Sequence, residues 1–159
     1  MHKRKGFSLI ELLIVVAIIL IIAAIAIPNL LRARIAANES SAVASIRTIN
    51  TAEISYNSTF PTVGFASTLS ALSGTSCAPP SSTGACLIDT QLSSGTKSGY
   101  SFALSNVTGT PASSYMAIGT PLTPNQTGVR SFCSVQDAVV RVVGTTAQSS
   151  CAGTETPLQ

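Results

Sequence analysis

Residues 7–27 read FSLIELLIVVAIILIIAAIAI, and this apolar segment decides how the rest of the chain is organised. Only Ser8 and Glu11 are polar within it. As an α-helix rising about 1.5 Å per residue, the segment would be roughly 31 Å long, close to the hydrocarbon thickness of a bilayer at about 30 Å. The sequence therefore predicts a membrane-spanning helix with one carboxylate near its beginning.

The flanks of the apolar segment predict its orientation. Residues 2–5 (HKRK) form a basic cluster on the N-terminal side, which favours a cytoplasmic N-terminus, although Arg32 and Arg34 on the other side weaken the bias. A secretory signal also begins with basic residues, but its apolar core is usually about 7 to 15 residues long and ends at a cleavage site with small residues. Here the apolar run is longer, and a helical pattern continues beyond it.

The helical pattern extends past Pro28 with one apolar stripe and one polar face. The stripe consists of Leu31, Ile35, Ala42, Ile46, Ile49 and Tyr56, and the opposite face carries Arg34, Asn38, Ser41 and Asn50. These spacings fit a 3.6-residue period and predict one helix from about Phe7 to Asn57, amphipathic in its second half. Pro28 cannot donate to the carbonyl of Ala24, so we expect a bend there.

The remainder of the chain has the pattern of a loop followed by strands. Residues 58–89 are rich in turn-forming residues, with a short helical turn predicted near 67–72. From Tyr100 onward apolar residues alternate, ending with AVVRVV at 138–143. We predict about four antiparallel strands packed on the amphipathic half of the helix, which is an α+β fold.

The formal charge of +3 comes from Lys3, Arg4 and Lys5. Downstream, six basic residues balance six acidic ones: Arg32, Arg34, Arg47, Lys97, Arg130 and Arg141 against Glu11, Glu39, Glu53, Asp89, Asp137 and Glu155. No basic stripe is present, so no nucleic-acid partner is expected.

The four cysteines favour disulfides over metal binding. None forms a C-x-x-C pair, and the chain's one histidine is His2, so we expect no metal site. Disulfides are typical of an oxidising compartment. Three connectivities remain open, of which the local pairing, Cys77 with Cys86 and Cys133 with Cys151, is the one we expect.

No pattern of catalytic residues is evident. Beyond residue 6 the sequence has no histidine, no cysteine spaced as a nucleophile with a base, and no glycine-rich phosphate loop after a strand. We therefore expect neither a catalytic residue nor a cofactor, and predict that the chain is not an enzyme.

The stretch KRKGFSLIELLIVVAII at residues 3–19 closely resembles the N-terminal signature of type IV pilins: a basic leader ending in glycine, then phenylalanine, then an apolar helix with glutamate as its fifth residue. The resemblance extends over about residues 3–30 and includes Pro28. It implies cleavage between Gly6 and Phe7 by a membrane prepilin peptidase, which also methylates the new amine. It also implies a helical homopolymer as the final state.

The resemblance implies four regions along the chain. Residues 1–6 form a leader, 7–28 a transmembrane helix that later lies in the filament core, 29–58 the amphipathic half of the helix, and 59–159 an extracytoplasmic domain with a C-terminal disulfide loop. The expected partners are other copies of the chain, the peptidase, an inner-membrane assembly machinery and, before assembly, lipid. The subunit would begin as a single-pass bacterial inner-membrane precursor and end in a cell-surface pilus. Pili with similar subunits serve adhesion, twitching motility, DNA uptake or biofilm formation, and the resemblance does not choose among these purposes.

Glu11 is the residue on which assembly would depend, with Phe7 and Pro28. An ionised carboxylate at mid-membrane costs about 2.5 to 3.5 kcal/mol, and less near the interface. Cleavage after Gly6 would give Phe7 an amine that is normally protonated at neutral pH. Two charges about 4 Å apart attract by about 4 kcal/mol at an effective dielectric constant near 20, which is enough to offset the insertion cost. The amine could belong to the same chain or to a neighbour; the resemblance favours the neighbour.

Three alternatives stay open at this point. Glu11 could reach the headgroups without any partner. The chain could be a pseudopilin of a type II secretion system, although Asp137 and Glu155 supply few ligands for the calcium ion that major pseudopilins tend to hold. It could also be a minor pilin that caps or primes the filament.

Overall fold

The computed structural model describes residues 7–74, 77–144, 151 and 155–158. The predicted leader, residues 1–6 with Gly6, lies outside the described residues. The chain divides into two compact units, Met1–Arg34 and Ile35–Gln159. The first contains the apolar segment, and the second contains the sheet.

Helix α1 runs from Leu9 to Thr59 and continues through Pro28. It begins and ends two residues later than the sequence pattern indicates. The Leu12 N–H donates to the carbonyl of Ser8 at 3.3 Å, which is the first intrahelical bond and makes Ser8 the N-cap residue. The bend expected at Pro28 stays a prediction.

The described strands form one six-stranded antiparallel sheet in sequence order. The strands are β1 (Thr96–Lys97), β2 (Tyr100–Gly109), β3 (Ala112–Pro121), β4 (Phe132–Val135), β5 (Arg141–Val142) and β6 (Thr156–Pro157). The α+β class and the meander are confirmed, but the predicted number of about four strands is too low. Strand β5 lies within the predicted run AVVRVV, and the two strands that were missed are β1 and β6, which with two residues each are too short for alternation to reveal them.

The second half of α1 packs on this sheet through the predicted stripe. Ala42, Ile46, Ile49 and Tyr56 are buried in one core cluster together with aromatic residues of the strands, Tyr100, Phe102, Tyr115 and Phe132. Leu31, which the pattern assigned to the same stripe, lies in the first unit and is exposed. The residues of the stripe are therefore buried against the sheet from Ala42 onward.

Asn50 corrects the predicted polar face, because it is buried rather than exposed. Its Nδ2 donates to Ser134 Oγ at 2.9 Å and to the carbonyl of Ala138 at 3.1 Å, while the Tyr115 hydroxyl donates to Asn50 Oδ1 at 3.1 Å. The sheet covers a wider arc of the helix than the apolar residues alone, so a polar residue next to Ile49 is also enclosed. Its hydrogen bonds offset the cost of burial.

Two short helices, α2 (Leu69–Leu72) and α3 (Thr90–Ser93), follow α1 in the sequence and precede the first strand. Helix α2 agrees with the predicted helical turn near 67–72. Disulfides join Cys77 to Cys86 and Cys133 to Cys151. The second disulfide belongs to a small cluster with Ile118 and Val143. Because Ile118 points away from its neighbour Ala117 in β3, this cluster covers the sheet face opposite to α1.

Candidate assembly site

The apolar segment presents its side chains to the surroundings. Large apolar residues from Phe7 to Ile27 are between 46% (Val16) and 82% (Phe7) exposed. Helix α1 is long and apolar enough to cross a membrane. A continuous apolar surface of this size requires lipid or protein around it, because water solvates it poorly.

Glu11 occupies the third position of α1, and its carboxylate turns back to the start of the helix. Its Oε2 accepts a hydrogen bond from the backbone N–H of Ser8 at 2.9 Å. This contact is one half of a capping box, in which a glutamate at the third position satisfies the N–H of the N-cap residue. The positive end of the helix dipole also favours a negative charge there.

The capping contact was not predicted, although the sequence signal for it is present. Ser8 and Glu11 have the S-x-x-E spacing of a capping box immediately before an apolar run. The carboxylate of Glu11 therefore has a local structural role in addition to its charge. Any test of the charge must keep this cap intact.

The carboxylate of Glu11 retains capacity for another donor. An ionised carboxylate offers about four acceptor positions, and the Ser8 N–H occupies one of them. None of the ion pairs among the described residues includes Glu11. The N–H that Glu11 accepts belongs to the peptide bond between Phe7 and Ser8, so the carboxylate lies beside the point where a cleaved chain would begin. The other residue proposed for assembly, Pro28, is exposed inside α1.

In the second unit, two buried carboxylates of α1 accept hydrogen bonds from loops of the same unit. Glu39 Oε1 accepts hydrogen bonds from the backbone N–H groups of Val129 and Arg130, each at 3.0 Å. Its Oε2 accepts from Arg130 Nε at 2.8 Å and lies 2.7 Å from Nη2 of the same guanidinium. Burial acts to raise the pKa of Glu39, but the hydrogen bonds from Val129 and Arg130 outweigh it and hold that pKa below its ordinary value.

Glu53 is more completely buried than Glu39 and accepts fewer hydrogen bonds. Its Oε2 accepts from the Ala66 N–H at 2.8 Å, and its Oε1 has no hydrogen-bond partner among the described residues. Burial raises the pKa of Glu53 to about 7, although the Ala66 N–H acts to lower it. The net pKa shifts of the two carboxylates are therefore opposite, because only Glu39 accepts enough hydrogen bonds to outweigh burial.

Other polar side chains of α1 anchor loops in the same way. Asn38 Nδ2 donates to the carbonyl of Thr127 at 2.8 Å, and the Tyr56 hydroxyl donates to the carbonyl of Ser82 at 2.6 Å. The partners are backbone groups rather than a second titratable side chain poised for proton transfer. These two side chains therefore fix the loops that contain Thr127 and Ser82.

Comparison with known proteins matches part of the chain. Residues 1–27 match the family model of the prokaryotic N-terminal methylation motif. The type IV wide pilus major component PilA4 of Thermus thermophilus is 65% identical over 40 residues, which cover 25% of this chain and 30% of PilA4. The type IV major pilin protein PilA of Myxococcus xanthus is 46% identical over 54 residues, 34% of this chain and 24% of that protein.

These matches bear out the resemblance to type IV pilins. The chain spans less than a third of the length of either relative. No solved structure matches the chain.

Proposed function

We propose that this chain, whose N-terminal helix resembles that of type IV pilins, is a structural subunit of a type IV pilus filament. The observation that carries the proposal is the exposed apolar helix with a single carboxylate in its first turn, inside a region that matches the methylation motif. Its relatives PilA4 and PilA are named as major components of type IV pili.

Processing would begin at the leader. A prepilin peptidase would cut between Gly6 and Phe7 and methylate the new amine of Phe7. This step is supported by the motif match over residues 1–27 and by the basic residues that precede Gly6. The cleaved chain would then begin one residue before the helix cap at Ser8.

Glu11 would select the incoming subunit by its charge. In the membrane-embedded subunit the carboxylate accepts the Ser8 N–H and keeps acceptor positions for a cation. The amine of Phe7 on a neighbouring subunit would fill that role, with an attraction of about 4 kcal/mol at close approach. This pairing would fix the axial register of one helix against the next.

The remaining apolar surface would be buried when the helices bundle. A head-to-tail contact whose rotation does not close produces an open helical filament rather than a ring. The side chains from Phe7 to Ile27 would exchange lipid contacts for contacts with other subunits. The second unit, with its sheet and two disulfides, would form the outer surface of the fibre.

Purified surface fibres test the proposal directly. Fibres sheared from cells should contain this chain, and mass spectrometry should find a terminal peptide that begins at Phe7 and carries one methyl group on its amine. A Gly6→Leu variant, which keeps the leader, serves as the control and should yield no fibres. Recovery of the chain in the membrane fraction alone, or of fibres that retain residues 1–6, would overturn the proposal.

A further inference from the structure

We propose that Glu53 is a proton-controlled latch: the neutral side chain holds residues 60–66 against α1, and ionisation of Glu53 loosens that segment. The inference is independent of filament assembly, because every group involved lies within the second unit. It rests on the burial of Glu53, on its bonding, and on the way the neighbouring turn is held.

The first argument is the incomplete bonding of Glu53. The side chain is 0% exposed and accepts one hydrogen bond, from the Ala66 N–H at 2.8 Å. Its Oε1 is buried and has no partner among the described residues. A buried carboxylate with an unpaired oxygen is far less stable ionised than neutral, because no donor replaces the water that solvates the charge. The protonated form is therefore the one that fits this site.

The second argument is that Ala66 follows a rigidly held turn. The Ala112 N–H donates to the carbonyl of Val63 at 2.8 Å, and the Phe65 N–H donates to the carbonyl of Ala112 at 3.1 Å. Gly64 has φ +86°, and a Cβ at this position would lie 2.1 Å from the carbonyl oxygen of Ala112. The turn is thus fixed to β3 on one side, and the Glu53–Ala66 bond attaches the next residue to α1.

The third argument concerns the groups that face Glu53. Residues 60–66 contain no titratable side chain. Among the described residues, the charge of Glu53 affects the pKa of two titratable groups, Tyr56 on α1 and Tyr115 on β3. Burial, and after it the charge of Glu53, raises the pKa of each hydroxyl above its ordinary value. Both therefore stay neutral around neutral pH. No described cation acts on the pKa of Glu53, which burial raises to about 7.

The direction of the pH effect follows from proton linkage. The closed state binds the proton of Glu53 up to a pKa of about 7, whereas an opened segment would give the carboxyl its ordinary pKa of 4.5. The stabilisation of the closed state by the proton on Glu53 is therefore complete below pH 4.5 and is lost as the pH rises through 7. Between about pH 5.5 and about pH 8, opening should become roughly 30-fold more favourable.

Hydrogen exchange of the full-length protein in detergent micelles tests the latch. Exchange of residues 60–66, corrected for the intrinsic pH dependence of amide exchange, should accelerate roughly 30-fold between about pH 5.5 and about pH 8. A Glu53→Gln variant keeps an acceptor for the Ala66 N–H but cannot ionise, so its corrected exchange should be independent of pH. Glu39→Gln, which alters the other buried carboxylate, should keep the wild-type dependence in this segment.

Three results would overturn the inference. They are a flat wild-type profile for residues 60–66, the same pH dependence in Glu53→Gln as in the wild type, and an equal acceleration in β3 beyond Ala112, which would indicate global unfolding instead of local opening. Ala112 is left out because its own N–H is bonded to Val63 of the segment. A direct NMR titration of the Glu53 carboxyl carbon in the wild type supplies a check if the variant does not fold: a midpoint near 4.5 would also reject the latch.

Discussion

Glu39 and Arg130 are joined three times, although 91 residues separate them in the sequence. The backbone N–H of Arg130 lies 3.0 Å from Oε1 of Glu39, and Nε and Nη2 of its guanidinium lie 2.8 Å and 2.7 Å from Oε2. The same guanidinium lies over the ring of Phe132, 5.5 Å from its centroid. A single carboxylate on α1 therefore positions the segment that leads into β4.

Replacing Glu39 by Gln should lower the free energy of unfolding at neutral pH by about 2 kcal/mol. The amide would lose the ion pair and present N–H donors to a site built from donors. Larger losses, of about 3 to 5 kcal/mol, apply to ion pairs that are buried on both sides, and the Arg130 side chain is 49% exposed. Denaturant unfolding of the full chain in detergent measures this difference.

The pH dependence of the same variant provides an independent check. Because the folded-state pKa of Glu39 is lowered, its stabilisation is present above its ordinary value of 4.5 and is lost as the pH falls through the lowered pKa. Glu39→Gln should lack this acidic loss. Asp89→Asn is the matched control: it removes the exposed ion pair with Lys97 but keeps a good helix N-cap, so it should cost less than about 1 kcal/mol. Equal effects of the two variants would contradict the role assigned to Glu39.

Asn50→Ala should destabilise the sheet domain by about 2 kcal/mol or more. The change leaves the Tyr115 hydroxyl, the buried Ser134 hydroxyl and the partly buried carbonyl of Ala138 without their partner. Tyr115→Phe removes one of these bonds, and a double-mutant cycle should show a coupling of about 0.5 kcal/mol or more between the two sites. Thr51→Ala is the control, because the Thr51 hydroxyl is exposed and donates to the helix's own carbonyl at Arg47. Additive single effects would show that the network is not coupled.

Gly64→Ala should destabilise the protein by more than about 3 kcal/mol or prevent its folding. The backbone at Gly64 has φ +86°, and an added Cβ would lie 2.1 Å from the Ala112 oxygen, a backbone atom that cannot move aside alone. Gly84→Ala is the matched control, since its added Cβ would lie 3.5 Å from the nearest heavy atom. Thermal unfolding followed by circular dichroism should separate the two variants, and a Gly64→Ala protein as stable as Gly84→Ala would refute this explanation of the turn.

The sequence predicts those parts of the fold that depend on periodic apolar residues. The apolar segment, the stripe from Ala42 to Tyr56 and the alternation in β2 all follow from repeating patterns, and the structure contains each of them. The two-residue strands β1 and β6 could not be predicted, because their pairing depends on tertiary contacts rather than on a local pattern, whereas β5 lies within the predicted run AVVRVV. Asn50 was misplaced for a related reason: burial of a polar side chain depends on partners that lie far away in the sequence.

The buried carboxylates were missed even though a signal for them exists. Spacings of 3, 4, 3, 4 and 3 connect Glu39, Ala42, Ile46, Ile49, Glu53 and Tyr56, so both glutamates belong to the buried stripe. Glutamate is usually exposed to solvent, and the stripe was therefore defined by its apolar residues alone. At the assembly site, Glu11 itself stood out in the sequence because it interrupts an apolar run. Its bond to Ser8 depends on where the helix begins, and sequence patterns place helix ends least accurately.

The central claim is that the charge of Glu11 recruits the neighbouring subunit. The yield of sheared surface fibres relative to cell-associated subunit, compared for the wild type, Glu11→Gln and Glu11→Asp, tests it most directly. Gln can accept the Ser8 N–H and preserve the helix cap, but it carries no charge, whereas Asp keeps the charge. Far-UV circular dichroism in detergent should show equal helix content in the wild type and Glu11→Gln. The account predicts that Gln abolishes fibres and that Asp retains part of the yield; fibres from Glu11→Gln at the wild-type level would contradict the claim that assembly requires the charge.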